Sequence, residues 1–204
     1  MACEASQDYQ IGEALLIGVV RQEVMEVTEG NAAPPALPEA KPISNSQDQI
    51  LVQRLANTIK EIGDKLDQNP AFNDMIDGLV KVADKSSFWK LVEKVFTDGQ
   101  IKWGRIIVLF YSVGKLSAKM VVARLPRIVS DILSLSLDYF KRNLLQWIRT
   151  VGGWMNSIPA LACFSVDQFS GSSMRKYSPY VGVVFAFTGG LLLGGFIVSR
   201  FQKT

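Results

Sequence analysis

The 204-residue sequence contains no histidine. That removes the commonest general base and the commonest metal ligand, and with them most hydrolase constellations. Cysteine is scarce: Cys3 and Cys163 give neither a disulfide framework nor a zinc spacing, which fits a reducing compartment. An excess of one charge is missing too. With 22 basic and 19 acidic residues the net charge is +3, and no basic stripe interleaved with aromatics runs along the chain, so nucleic acid is not an expected partner. No phosphate-cradling glycine loop, paired catalytic carboxylate, metal cluster or activated nucleophile stands out. The sequence therefore reads as a non-enzyme without a cofactor or metal. Glu4 and Asp8 precede any apolar run, so no secretory signal is expected at the N-terminus.

What the chain does have is a helix that is apolar all round. After a turn signal at Asp98-Gly99, a helix is expected from about Trp103, and Ile106 to Gly114 carries no charge on any face. A surface helix would show a polar side, so this one belongs at the centre of a bundle. Lys115 and Lys119 cut the run well short of the roughly 20 residues needed to cross a bilayer. Arg105, at its entrance, needs a partner or solvent.

The rest of the chain supplies packing partners. Residues 1–8 read as disordered, and Ile11, Leu15, Leu16, Val19 and Val20 form an apolar stripe on a first helix from Tyr9 to Val27. Residues 28–47 hold four of the eight prolines and few large apolar groups, and are expected to form a mobile loop. A second helix, 48–69, carries a seam at Val52, Leu55, Ile59, Ile62 and Leu66, spaced three or four apart. Such a seam either packs in a core or enters a partner's groove. Short helices are expected at 71–82 and 87–97, and a long one at 127–148 begins behind Pro126. Gly152-Gly153 stop it, and one or two short helices fill 154–169. The chain thus reads as an all-α bundle of about eight helices over residues 9–164.

The C-terminal part differs. Residues 165–178 are Ser/Gly-rich, as a flexible tether would be. Tyr180 to Ser199 is uncharged and flanked by Arg175, Lys176, Arg200 and Lys203, which suits a single-pass tail anchor within 179–204. Tyr180 and Val198 lie near its two ends. Gly182, Ala186, Gly190 and Gly194 form a stripe of small residues, able to admit a second helix in lipid or to fit a groove.

Three blocks resemble the homology motifs of the B-cell lymphoma 2 (Bcl-2) family of apoptosis regulators. Phe96–Tyr111, with Trp103-Gly104-Arg105, resembles the first motif. Leu144–Trp154, with Trp147, Gly152, Gly153 and Trp154, resembles the second. Leu55–Asp67 resembles the third, the short death motif. The first helix is similar to the weaker fourth. Ile62-Gly63-Asp64 resembles the pore-forming effectors, where survival members usually carry alanine before the Gly-Asp. Ile59 departs from the usual leucine, a volume-conserving change. The tether is longer than in the effector it otherwise resembles, and the glycine-rich tail ending in Arg200-Phe201 is similar to that of a membrane-resident effector.

The resemblance implies a function. A groove that includes Phe96, Trp103, Gly104, Arg105 and Leu109 would receive a death motif, or the protein's own tail, with Arg105 pairing with the incoming acid. On activation the seam Leu55, Ile59, Ile62, Leu66, with Gly63 and Asp64, would enter the groove of a second copy. Oligomers would then permeabilise the mitochondrial outer membrane. The implied partners are activators that carry only a death motif, pro-survival family members, further copies of the chain and that membrane. The implied location is the mitochondrial outer membrane, or the cytosol before activation. The alternative is a survival protein that sequesters death motifs without forming pores. Within one chain, Asp64 is also expected to pair with Arg105, and the three tryptophans 103, 147 and 154 to pack in the bundle rather than anchor at a membrane interface.

Overall fold

A computed structural model of the chain describes residues 2–28 and 36–164, with the backbone alone for residues 2–6. The tether and anchor candidates, including Tyr180, Gly182, Ala186, Gly190, Gly194 and Val198, lie outside the described residues. Among the described residues no helix is long and apolar enough to cross a membrane.

The described residues form eight α-helices: α1 Ala2–Thr28, α2 Ser46–Asp67, α3 Pro70–Val82, α4 Ser86–Val95, α5 Trp103–Val122, α6 Pro126–Tyr139, α7 Leu145–Thr150 and α8 Ser157–Ala162. The all-α architecture expected from periodicity is the one found. The central position falls to α5, which packs on α1, α2, α3, α4, α6 and α8. Fifteen of its twenty residues are buried, on every face, so its lack of a polar side follows from its surroundings.

The helix that packs most extensively on α5 is α1, through Leu15, Leu16, Val19, Val20 and Val24, with Ile11 buried in the same stripe. The two backbones approach closely at Gly114, where an added Cβ would press on Val19 and Glu23. The helix begins at Ala2, ahead of the start near Tyr9 expected from the periodicity. Tertiary bonds hold this end: the Gln7 amide donates to both oxygens of Asp48, and the Trp154 indole N–H donates to the Asp8 carbonyl at 2.9 Å. Periodicity along α1 contains neither partner. The loop is trimmed at both ends by α1 and α2, and Glu39 within it pairs with Arg21 of α1 at 3.3 Å.

Local chemistry sets the helix ends around α2 and α3. The Asn45 side chain accepts from the Gln47 N–H to start α2. Asn69 accepts from the N–H groups of Ala71 and Phe72 to start α3, with Pro70 in its first turn, where the absent N–H is not missed. The expected helix over 127–148 proves to be α6 and α7 joined by a π-helical turn at Phe140–Leu144. That turn is where Phe140, fully buried, drives its ring against Gly12 of α1; any side chain on residue 12 would collide with it.

Candidate functional site

The seam lies on the inward face of α2. Leu55, Ile59, Ile62 and Leu66 are each at most 5% exposed, so the apolar pattern that could enter a groove is here part of the core. Gly63 lies in the same face. The space it leaves is occupied by the Tyr111 ring of α5, and an added Cβ would fall inside that ring. Tyr111 also stacks on Phe72 of α3, with ring centroids 6.1 Å apart. Burial, reinforced by the nearby Glu23 and Asp67 carboxylates, keeps its hydroxyl protonated well above the usual range.

The acidic residues of the motif divide. Asp64 faces solvent. Asp67, at the end of α2, accepts a hydrogen bond from Lys115 Nζ at 2.6 Å. The same ammonium lies 3.7 Å from Glu23 Oε2 of α1.

Arg105 does not pair with Asp64. Its guanidinium grips Asp98: Nη1 donates to Oδ1, Nη2 donates to Oδ2 at 2.8 Å, and Nη1 also donates to the Gln100 carbonyl at 3.0 Å. The Arg105 hydrogen bond, then the Gln100 N–H, hold the Asp98 carboxyl well below the usual carboxylate range. The reason is local. Gly99, at φ 71, makes a tight turn just before α5 that folds Asp98 back toward Arg105. The Asp98-Gly99 turn signal was visible in the sequence; its use as a clamp on Arg105 was not.

The other groove candidates are dispersed. Trp103, Gly104 and Leu109 are buried. The Phe164 ring lies over Gly104, where a Cβ would strike it. Phe96, half-buried, turns toward Tyr139 of α6, ring centroids 6.2 Å apart.

The second-motif residues come together with Trp103. Its ring lies 5.1 Å from that of Trp147 and 5.4 Å from that of Trp154. Trp103 and Trp154 are buried in the bundle, and Trp147 is half-buried against Trp103. Gly152 and Gly153 adopt φ 91 and 77, a region costly for residues with a side chain, and the turn they make brings Trp154 back under α1.

Residues 59–154 match the family model described as apoptosis regulator proteins, Bcl-2 family. Over 102 residues, half of this chain, the sequence is 33% identical to the apoptosis regulator BAX of Bos taurus, covering 53% of that protein. The chain thus spans about half the length of the curated relative it matches. In three dimensions it resembles the crystal structure of chicken BOK, with TM-score 0.59, 16% identity, and coverage of 76% of this chain and 98% of that one. It also resembles Trichoplax adhaerens trBcl-2L2 bound to trBak BH3, with TM-score 0.56, 16% identity, and coverage of 75% and 98%. At that identity the two structures speak for the fold alone.

Proposed function

We propose that this chain is an apoptosis regulator of the Bcl-2 family, as the match of its residues 59–154 supports, and within it a BAX-like effector that permeabilises the mitochondrial outer membrane when its death-motif helix is exposed. The observation that carries the reading is the state of α2: four large apolar anchors and a glycine on one buried face, with Asp64 on the solvent side of the same turn. Such a face has two uses, as core when docked and as a knob for another copy's groove when released. Each anchor reburied in a partner returns roughly 1.5–3 kcal/mol before the costs of association.

Arg105 takes its part by exchange. Its partner Asp98 is an exposed residue on an adjacent turn, so an incoming acid, Asp64 of a second copy or the acid of an activator's death motif, can displace it without unfolding α5. A desolvated pair of this kind fixes register, and removing one member costs about 2–5 kcal/mol. The Trichoplax relative is seen bound to a death-motif segment of trBak, and the same class of ligand, from activators and from pro-survival relatives, is the partner proposed here. Residues 179–204 are proposed as the membrane anchor, similar in their glycine-rich pattern to the tail of Bak.

Dye release from liposomes of mitochondrial-like composition tests the reading. The full-length chain is expected to release dye when an activating death-motif peptide is added. Tight peptide binding with no release would instead identify a survival protein that sequesters death motifs.

A further inference from the structure

At the end of the death-motif helix one cation serves two carboxylates from two other helices. Lys115 Nζ of α5 lies 2.6 Å from Asp67 Oδ2 of α2 and 3.7 Å from Glu23 Oε2 of α1. The ammonium is committed to Asp67, and Glu23 receives what remains. Yet Glu23 is only 8% exposed, because α1 closes on α5 at Gly114, where a Cβ would meet the Glu23 side chain.

The groups around Glu23 do little to compensate. Cavities of about 300 and 540 Å³ flank it. The ionisable groups lining them are Glu26 on α1, Lys60, Asp64 and Asp67 on α2, Asp77 on α3, and Tyr111, Lys115 and Lys119 on α5. Lys119 is engaged by Asp77. A carboxylate buried beside a shared cation loses more in hydration than the pair returns, whereas a protonated carboxyl carries no such cost.

We propose that Glu23, Lys115 and Asp67 form a proton-sensitive latch that holds α1 and the death-motif helix on α5, closed when Glu23 is protonated and loosened when it ionises. The latch rests on the proposed function only for what release leads to; the docking it controls is a property of the resting fold. Burial raises the Glu23 carboxyl from its ordinary 4.5 to about 7, against the opposing pull of Lys115. Between those two values the docked state binds more protons than the undocked one. Stability from this group is therefore full below about pH 4.5, declines as the pH rises, and is lost above about 7.

Hydrogen exchange on the full-length chain at pH 5.5 and 7.5, expressed as protection factors, reads the latch directly. Protection over α1 and residues 55–66 is expected to fall on the order of tenfold between the two values. Glu23→Gln should abolish that fall and match at pH 7.5 the protection wild type shows at pH 5.5. Lys115→Met should lower protection at both. A Glu23→Gln protein that keeps the wild-type pH dependence overturns the proposal, whether or not Lys115→Met folds. Exchange needs neither membrane nor partner. A flat profile in wild type would remove the latch and leave the effector reading standing, and a failure of dye release would do the reverse.

Discussion

Gly63 has no side chain, and Tyr111 of the same chain fills the space. From the sequence, glycine in the seam reads as room for a neighbouring helix. In the resting fold the room is already taken, so a substitution acts first on the monomer. Gly63→Ala would push the ring off α2, and overpacking of this kind costs about 1–3 kcal/mol. At roughly 2–4 °C per kcal/mol for a chain of this size, thermal unfolding should show a clear drop in Tm. Gly63→Ala combined with Tyr111→Ala should lose less than the sum of the two single changes, because both act through one contact. Additive losses would show that the ring and the glycine are not coupled. The same scale shows where spacing stops being informative. Leu55, Ile59, Ile62 and Leu66 were legible as one face because helical period fixes it. That Tyr111 covers Gly63, that Asp98 clamps Arg105, and that Lys115 is divided between Asp67 and Glu23 depend on which helices meet, and period carries no record of that.

At the scale of elements, helix order and type followed the sequence closely, because amphipathic period and the two prolines at helix starts are local signals. Pro126 opens α6 as expected, and Pro70 both closes off α2 and opens α3. The junction between α2 and α3 rests on Asn69, whose side chain accepts from two orphan N–H groups. Asn69→Ala should cost about 1 kcal/mol and fray the start of α3. Circular dichroism melts and exchange in residues 70–74 would show it; unchanged protection there would mean the cap is dispensable. The π turn at Phe140–Leu144 escaped the sequence because its apolar residues still satisfy an ordinary helical spacing. What spacing cannot show is that Phe140, at the start of that turn, packs its ring on Gly12 of α1, where a Cβ would strike it.

For the whole molecule, the described bundle has a centre that its own helices cover. The apolar surface of α5 lies under α1, α2, α3, α4, α6 and α8, and Trp154 ties the second-motif turn to the start of α1. A chain with so complete a core among its described residues should fold without a membrane. The uncharged run from Tyr180 to Ser199 should then matter for location and not for stability. Deleting residues 179–204 is expected to leave a soluble bundle that unfolds cooperatively at a Tm close to that of the full chain. The truncated protein should remain at the bottom of a liposome flotation gradient, where the full chain rises with the vesicles. Flotation of both to the same extent would remove the anchor and move membrane attachment into the bundle itself. A large loss of Tm on truncation would instead give the tail a place in the folded core. The small-residue stripe from Gly182 to Gly194 would then serve packing against helices of this chain, in place of packing in lipid.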